Sequence, residues 1–199
     1  MSDNSTTELE SNWNLFRKIC ENTGERADAL ISLVDTLGER LILCPARDKS
    51  EWTTCKPGGL IENSLRVFKL VRKLNDTLSL ECSLESMIVT SLFCEIGKVG
   101  DLEGNDYFLN QDSDWHREKL GQYYKYNPVL QKMPHSHRSL QILQSAGVTL
   151  TQDEWIAIAT AGGQNLEENK FYSGAEPSLS VLLQMGIRAA NLQSWKGNT

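Results

Sequence analysis

The sequence predicts an all-α protein with a single helical domain, and three observations support this prediction. Apolar residues recur at helical spacing, as in Ile61, Leu65, Phe68 and Val71. Helix-capping patterns precede several such segments, and glycines follow them. The sequence contains no pair of segments with alternating apolar and polar residues joined by a short turn, which is the pattern of a β-hairpin. Because 199 residues fall within the size range of one domain, we expect a flexible tail over residues 1–6 and one helical domain over residues 7–199.

Two helices are expected in the first quarter of the chain. Thr7 and Glu10 have the spacing of a capping box and predict that the first helix begins at Thr7. Gly24 is expected to end that helix, and Gly38 to end the second. Residues 41–43 are apolar but too few for periodicity to decide their state. Residues 44–59 contain two prolines and a glycine pair, which predict a loop.

The remaining helices are predicted from their apolar spacing and their start signals. One is expected over residues 60–75 and another from a Ser83 cap to Gly97, with a long polar and aromatic loop over residues 100–127. Three more helices follow in the last third of the chain. Their start signals are Ser136 or Ser139, the capping box of Thr151 and Glu154, and Pro177.

Composition and charge exclude several classes of function. A net charge of −6 and a pI near 5.2 argue against general nucleic-acid binding, which needs a basic face. No run of about 18 apolar residues predicts a membrane span, and the polar N-terminus lacks a secretory signal. The cysteines are odd in number and scattered, which favours reduced thiols and a cytoplasmic location. They are Cys20, Cys44, Cys55, Cys82 and Cys94.

Two motifs carry a family resemblance. Residues 57–67 read PGGLIENSLRV, and residues 91–98 read SLFCEIGK. They resemble the HD superfamily of metal-dependent phosphohydrolases, in particular a compact phage and bacterial group with PGGLxEHSLRV and SLFHDLGK. Shorter matches follow in the same order over residues 113–121, 138–144, 157–163 and 182–187. The resemblance extends from about Cys44 to the C-terminus and implies an HD-like helical domain.

The resemblance also assigns metal ligands to positions where this chain lacks suitable donors. These positions hold Asn63, Cys94, Glu95, Ala161, Gly162 and Ile187. An amide oxygen is a poor ligand for the metals that imidazole favours, and the last three residues offer no side-chain donor. A catalytic metal needs about three protein ligands and an open position. We therefore expect no metal, no cofactor and no catalysis, as in a pseudoenzyme.

A replacement metal site is the competing interpretation. Cys94 and Glu95 could combine with His116, or with the pair His135 and His137, because thiolate and imidazole suit zinc. The simpler interpretation is that Cys94 is an ordinary buried cysteine and that the histidine pair lies at an exposed helix start. The sequence favours the simpler interpretation.

The residues that border the active site in the resembled family include groups suited to phosphate and to nucleobases. Arginine binds phosphate through paired hydrogen bonds, lysine binds it as a point charge, and aromatic rings stack on bases. The candidate ligand-binding residues are Arg66, Lys98, Trp115, His116, Arg117, Lys119 and Arg138. For a phosphate-binding protein, we expect Arg66, Lys98, His116, Arg117 and Arg138 to line one cavity. Solvated surface charge is the simpler interpretation of each.

The leading functional hypothesis is a catalytically inactive HD-like protein that binds a nucleotide or cyclic oligonucleotide without hydrolysing it. The relatives that it resembles look like proteins of tailed phages. One form of this function would be a phage anti-defence protein that sequesters a host immune signal in the host cytoplasm. A structural or protein-interaction module, with Ile187 closing the old pocket, is the first alternative. A phosphohydrolase with an altered metal site is the second alternative. Formation of a homo-oligomer is a further possibility that the sequence does not decide.

Overall fold

The computed structural model describes residues 3–163 and 166–198, and eight α-helices make up most of this part of the chain. The all-α prediction is confirmed. The helices are α1 Asp3–Cys20, α2 Ala27–Leu43, α3 Gly59–Leu78, α4 Leu84–Phe93, α5 Asp114–Leu120, α6 His135–Ser145, α7 Gln152–Ala159 and α8 Ser178–Ser194. Short 3₁₀ turns cover Gly24–Arg26, Ile96–Val99, Glu167–Tyr172 and Lys196–Asn198. None of the described helices is both long and apolar enough to cross a bilayer.

A small hairpin interrupts the helices and corrects the prediction of a long loop over residues 100–127. Strand β1, Phe108–Asn110, pairs antiparallel with β2, Tyr124–Tyr126, and α5 lies between them in sequence. Strands of three residues are too short for alternation to reveal them. Aromatic packing also holds the hairpin, because the rings of Phe108 and Tyr124 lie 6.1 Å apart between centroids.

The helix caps agree with the sequence at α4 and α7. The Ser83 hydroxyl accepts a hydrogen bond from the Ser86 amide at 3.0 Å. At α7, the Glu154 amide donates to the Thr151 hydroxyl at 3.2 Å, and the Thr151 amide donates to the Glu154 carboxylate at 2.8 Å. Both predicted caps are therefore confirmed.

The prediction that Ser136 or Ser139 caps α6 is wrong. Pro134 occupies the N-cap position, and no side chain caps this helix. The Ser139 hydroxyl instead accepts from the Gly97 amide at 2.9 Å and lies 2.9 Å from the carbonyl oxygens of Cys94 and His135, which it can donate to. Ser139 therefore ties α6 to the turn after α4, a long-range role that capping statistics do not reveal.

The first two helices also differ from the expected boundaries. Helix α1 begins at Asp3, so residues 3–6 belong to the helix and Thr7 lies within it, whereas residues 1 and 2 lie outside the described residues. Gly38 has a φ of +46° and breaks α2, after which the helix continues to Leu43. The undecided segment 41–43 is therefore helical.

Helix α3 packs against both α4 and α8 and lies at the centre of the core. Gly186 on α8 allows the close approach, because a Cβ atom there would lie 2.5 Å from Val71 Cγ2. Helix α7 packs on α4 and α8. Cys94, Ala161 and Ile187 consequently share one apolar core. Asn63 contacts Glu95, the residue next to Cys94, whereas Gly162 is exposed.

Candidate functional site

The carboxylate of Glu95 occupies the centre of the site that the sequence singled out. Its Oε1 lies 2.6 Å from Lys98 Nζ and 3.4 Å from Arg47 Nη1. Its Oε2 accepts from Asn63 Nδ2 at 3.1 Å. His135 Nε2 is 3.8 Å from Oε1. We call these five residues the Glu95 cluster. Glu95 and Lys98 are only 6% and 4% exposed, so the cluster is an internal ion pair with added hydrogen bonds.

Four parts of the fold position the five members of the cluster, because Glu95 and Lys98 share one turn. Asn63 lies on the second turn of α3, and His135 begins α6. Lys98 returns towards Glu95 because a 3₁₀ turn connects them, which brings side chains three residues apart onto one face. Arg47 comes from the loop between α2 and α3.

Further hydrogen bonds fix the two cations of the cluster. Lys98 Nζ also donates to the carbonyl of Ala46 at 3.1 Å. Arg47 Nη2 donates to Asn191 Oδ1 on α8 at 2.6 Å. The Arg47 guanidinium lies 5.3 Å from the ring centre of Trp52, within cation–π range. The carboxylate therefore connects α3, the turn after α4 and α6, and Arg47 extends the cluster to α8.

The charges in the cluster oppose the cost of burial. Burial favours protonation of Glu95, but Lys98 and Arg47 outweigh it and hold its pKa well below the usual range. Burial lowers the pKa of Lys98, and the neighbouring Glu95 opposes that shift. Burial and the nearby Lys98 lower the pKa of His135 to about 4, so its ring is neutral at pH 7. Arg47 and Lys98 are thus the cations that neutralise Glu95.

The described residues lack the geometry of a metal centre. Among them, no three His, Cys, Asp or Glu side chains are close enough together to hold a metal ion. Lys98 Nζ already occupies Glu95 Oε1 at 2.6 Å. Burial raises the pKa of the Cys94 thiol far above its usual range, which suppresses the thiolate that binds zinc. Asn63 Oδ1 is buried without a hydrogen-bond partner in the described structure.

Apolar packing occupies the remaining positions of the expected metal centre. Ala161 and Ile187 are each 8% exposed and belong to the core. Gly162 lies at the surface, and a Cβ atom there would be 2.6 Å from Leu166 Cδ1. Ala161 and Ile187 contribute volume to the core, and none of the three positions supplies a donor side chain.

The candidate phosphate-binding cations do not gather in one cavity, which corrects the expectation from the sequence. Among the described cavities, Lys98, Arg66 and Arg138 line three different ones. Arg66 is paired with Glu62 at 2.7 Å, and buried Arg138 donates to the Gln131 carbonyl at 2.6 Å. Each guanidinium therefore donates to an acceptor within the protein, while Arg66 Nη1 and Arg138 Nε are buried without a partner among the described residues.

The candidates on α5 form a separate group that is exposed except for the partly buried His116. Arg117 pairs with Asp114 and donates to the Gln111 carbonyl at 2.7 Å. His116 Nδ1 contacts the Ser113 hydroxyl at 2.8 Å, and its ring packs edge-on against Trp115. Lys119 and Trp115 are exposed. This helix contributes no side chain to the Glu95 cluster.

A cavity of about 520 Å³ lies between α2, the following loop and the hairpin. Lys98 forms part of its wall, and Tyr107, Phe108 and Tyr124 supply aromatic surface. Arg40 also lines it, but its guanidinium already donates to Asp106 at 2.8 Å and to the carbonyls of Val99, Asp101 and Asn105 at 2.7–3.0 Å. Protein acceptors therefore already satisfy both of these wall cations.

Sequence reasoning missed Arg47 and Asn191. Arg47 lies in a loop with no motif, and Asn191 lies one turn beyond the last matching segment on α8. The usable signal was chemical, because a buried Glu95 without metal requires cationic partners from elsewhere in the chain.

Comparisons with protein-family models, with curated proteins and with solved structures give no match. Function is therefore inferred from the side chains themselves.

Proposed function

We propose that this protein is a catalytically inactive HD-like domain that acts as a protein-interaction module. The observation that carries the proposal is the 2.6 Å contact between Lys98 Nζ and Glu95 Oε1. Metal-dependent hydrolysis requires a carboxylate free to bind the ion and an open coordination position for water. Here the Lys98 ammonium group contacts the carboxylate, and Ala161, Gly162 and Ile187 offer no side-chain donor at the other expected positions.

The pairing of the cations favours a module over a phosphate trap. Arg66, Lys98, Arg117 and Arg138 all donate to acceptors within the protein. A phosphate group at Lys98 would have to break the contact with Glu95. Arg66 Nη1 and Arg138 Nε are buried without a partner among the described residues, but these two arginines line separate cavities and cannot bind one phosphate together, so the net affinity would be small. A protein partner requires no such opening of the interior.

Hydrolysis assays test the loss of catalysis. Purified protein would be incubated with mono-, di- and cyclic nucleotides in Mg²⁺, Mn²⁺, Ni²⁺ or Fe²⁺, beside a matched Glu95→Gln variant. We expect equal background rates for the two proteins under every condition. A metal-dependent rate in the wild-type protein that disappears in Glu95→Gln would overturn the proposal.

A nucleotide-binding protein is the second candidate, and the 520 Å³ cavity is the observation that favours it. Its volume suits a small ligand, and Tyr107, Phe108 and Tyr124 could stack a base. In this case the protein would hold a phosphorylated small molecule without turnover. If the chain is phage-encoded, that molecule would be a host immune nucleotide sequestered in the host cytoplasm.

Calorimetry distinguishes the second candidate from the first. The panel would contain mono-, di- and cyclic oligonucleotides, titrated into wild-type protein, Tyr124→Ala and Tyr123→Ala. Tyr123 is exposed and neighbours the cavity residue, so it provides the matched control. A nucleotide-binding protein should bind tighter than about 1 mM, and only Tyr124→Ala should lose that binding. No binding by the wild-type protein would leave the interaction module.

A further inference from the structure

A long groove lies between α1 and α3 on a face separate from the Glu95 cluster. Its volume is about 900 Å³. Ile19, Leu65 and Phe68 supply apolar surface, and Leu15 borders it with 48% of its surface exposed. We call this feature the α1–α3 groove. Its apolar floor is accessible to a partner side chain without opening the core.

The rim of the α1–α3 groove is basic although the whole protein is acidic. Lys69, Arg72 and Lys73 lie on α3 at the spacing i, i+3, i+4, and all three are exposed. Among the described residues, none of these three side chains has an ion-pair partner. Arg72 instead lies 5.7 Å from the ring centre of Phe68. Asp76 is the acidic residue in the lining, so the rim retains a positive excess.

Several arginines elsewhere in the fold are neutralised by ion pairs, unlike the cations of the rim. Arg17, Arg26, Arg40 and Arg117 each pair with a carboxylate. The chain as a whole has a net charge of −6. A local group of unpaired cations beside apolar surface therefore supplies electrostatic complementarity to an acidic partner.

We propose that the α1–α3 groove binds an acidic amphipathic helix of a partner protein. The apolar face of such a helix would cover the floor, as in other helix-in-groove interfaces, and its carboxylates would meet Lys69, Arg72 and Lys73. The inference deepens the proposed interaction module by naming its partner class, and it rests on that function. A nucleic acid would leave the apolar floor uncovered, so it is the weaker fit.

Fluorescence anisotropy with designed peptides tests the proposal. The probe is a labelled 16-residue helix with leucines at i, i+3, i+4 and i+7 and glutamates beside them. The control peptide replaces every glutamate with lysine. We expect saturable binding of the Glu peptide alone, weakened by raising NaCl from about 50 to 500 mM because salt screens exposed charges. No saturation below about 1 mM, or equal binding of both peptides, would overturn the proposal.

Charge reversal localises the binding to the groove. Lys69→Glu/Lys73→Glu should weaken the Glu peptide at least tenfold and gain affinity for the Lys peptide. Lys49→Glu/Lys132→Glu makes the same change in net charge at exposed positions outside this groove and should keep the wild-type affinity. Circular dichroism confirms that each variant is folded. Equal weakening by both variants would show a general charge effect and refute the groove.

Two further experiments distinguish peptide binding in the groove from membrane binding and from the proposed loss of catalysis. Sedimentation with vesicles of equal phosphatidylglycerol and phosphatidylcholine tests a membrane surface, and vesicle binding without peptide binding would replace the peptide proposal. The hydrolysis assay addresses the proposed loss of catalysis independently, because none of its readouts depends on Lys69 or Lys73. A negative peptide result with no hydrolysis therefore refutes the groove alone.

Discussion

Glu95 is held by residues that are far apart in the sequence, and its ion pair with Lys98 dominates the energetics of the site. A buried charge left without its partner costs far more than the pair contributes when intact. Arg47 and Asn63 complete the solvation of the carboxylate at 3.4 Å and 3.1 Å. The consequences of substitution therefore depend on which partner remains.

A double-mutant cycle measures this dependence. Lys98→Met should lower the free energy of unfolding by about 3–5 kcal/mol, because it leaves Glu95 under-neutralised in the interior. Lys98→Met/Glu95→Gln should recover part of that loss, since both charges are then removed. Urea unfolding provides the measurement, and exposed Lys132→Met should change it by less than about 0.5 kcal/mol. Additive losses in the double variant would contradict an ion pair.

At the scale of single elements, local signals determine where several helices begin. The capping box at α7 satisfies two amide groups, and Glu154 also accepts from Arg26 at 2.7 Å. Thr151→Ala should therefore lower the free energy of unfolding by about 1 kcal/mol, as loss of a cap usually does. Thr151→Ser keeps the hydroxyl and should be close to wild type. Thermal or urea unfolding measures the stability of the wild-type protein and the two variants. Equal stability of all three would show that the cap is dispensable.

Packing between α3 and α8 gives a second prediction for these elements. A Cβ atom at Gly186 would lie 2.5 Å from Val71 Cγ2, so Gly186→Ala should force the helices apart and cost about 1–3 kcal/mol. In a Val71→Ala background, the same substitution should cost less, because the clashing methyl groups are gone. An equal cost of Gly186→Ala in both backgrounds, measured by urea unfolding, would point to another cause.

The sequence predicts features whose causes are local and misses those whose causes are distant. Ser83 and Thr151 cap their helices because the partner amide lies three residues away, a relationship visible in the sequence. Ser139 has equally suitable chemistry but bonds to Gly97 instead. Arg47 joins the Glu95 cluster only because the fold brings the loop between α2 and α3 next to the turn after α4, 48 residues later in the sequence. The fold brings Asn63 and Glu95 into contact, whereas the residues expected to line a phosphate-binding cavity lie apart.

At the scale of the whole molecule, the Glu95 cluster links folding stability to pH. The cluster bridges α3, the turn after α4, α6 and α8, so its protonation is coupled to global unfolding. Burial and Lys98 lower the pKa of His135 from 6.5 to about 4. Between these values the unfolded chain binds more protons than the folded protein, and acidification favours unfolding. Below about pH 4.5, the lowered pKa of Glu95 adds a second loss in the same direction.

We therefore expect the free energy of unfolding to be insensitive to His135 above pH 6.5 and to fall as the pH drops from 6.5 to 4. One proton sets a limit of about 1.4 kcal/mol per pH unit, and the partial exposure of the ring reduces the effect below that limit. Urea unfolding at half-unit steps of pH measures the slope. His135→Asn should flatten it between pH 6.5 and about 4.5, whereas His137→Asn, at an exposed position on the same helix, should not. A steeper loss of stability below pH 4.5 should persist in both variants, because Glu95 is present in each. An unchanged slope in His135→Asn would show that carboxylates outside the Glu95 cluster account for the acid sensitivity.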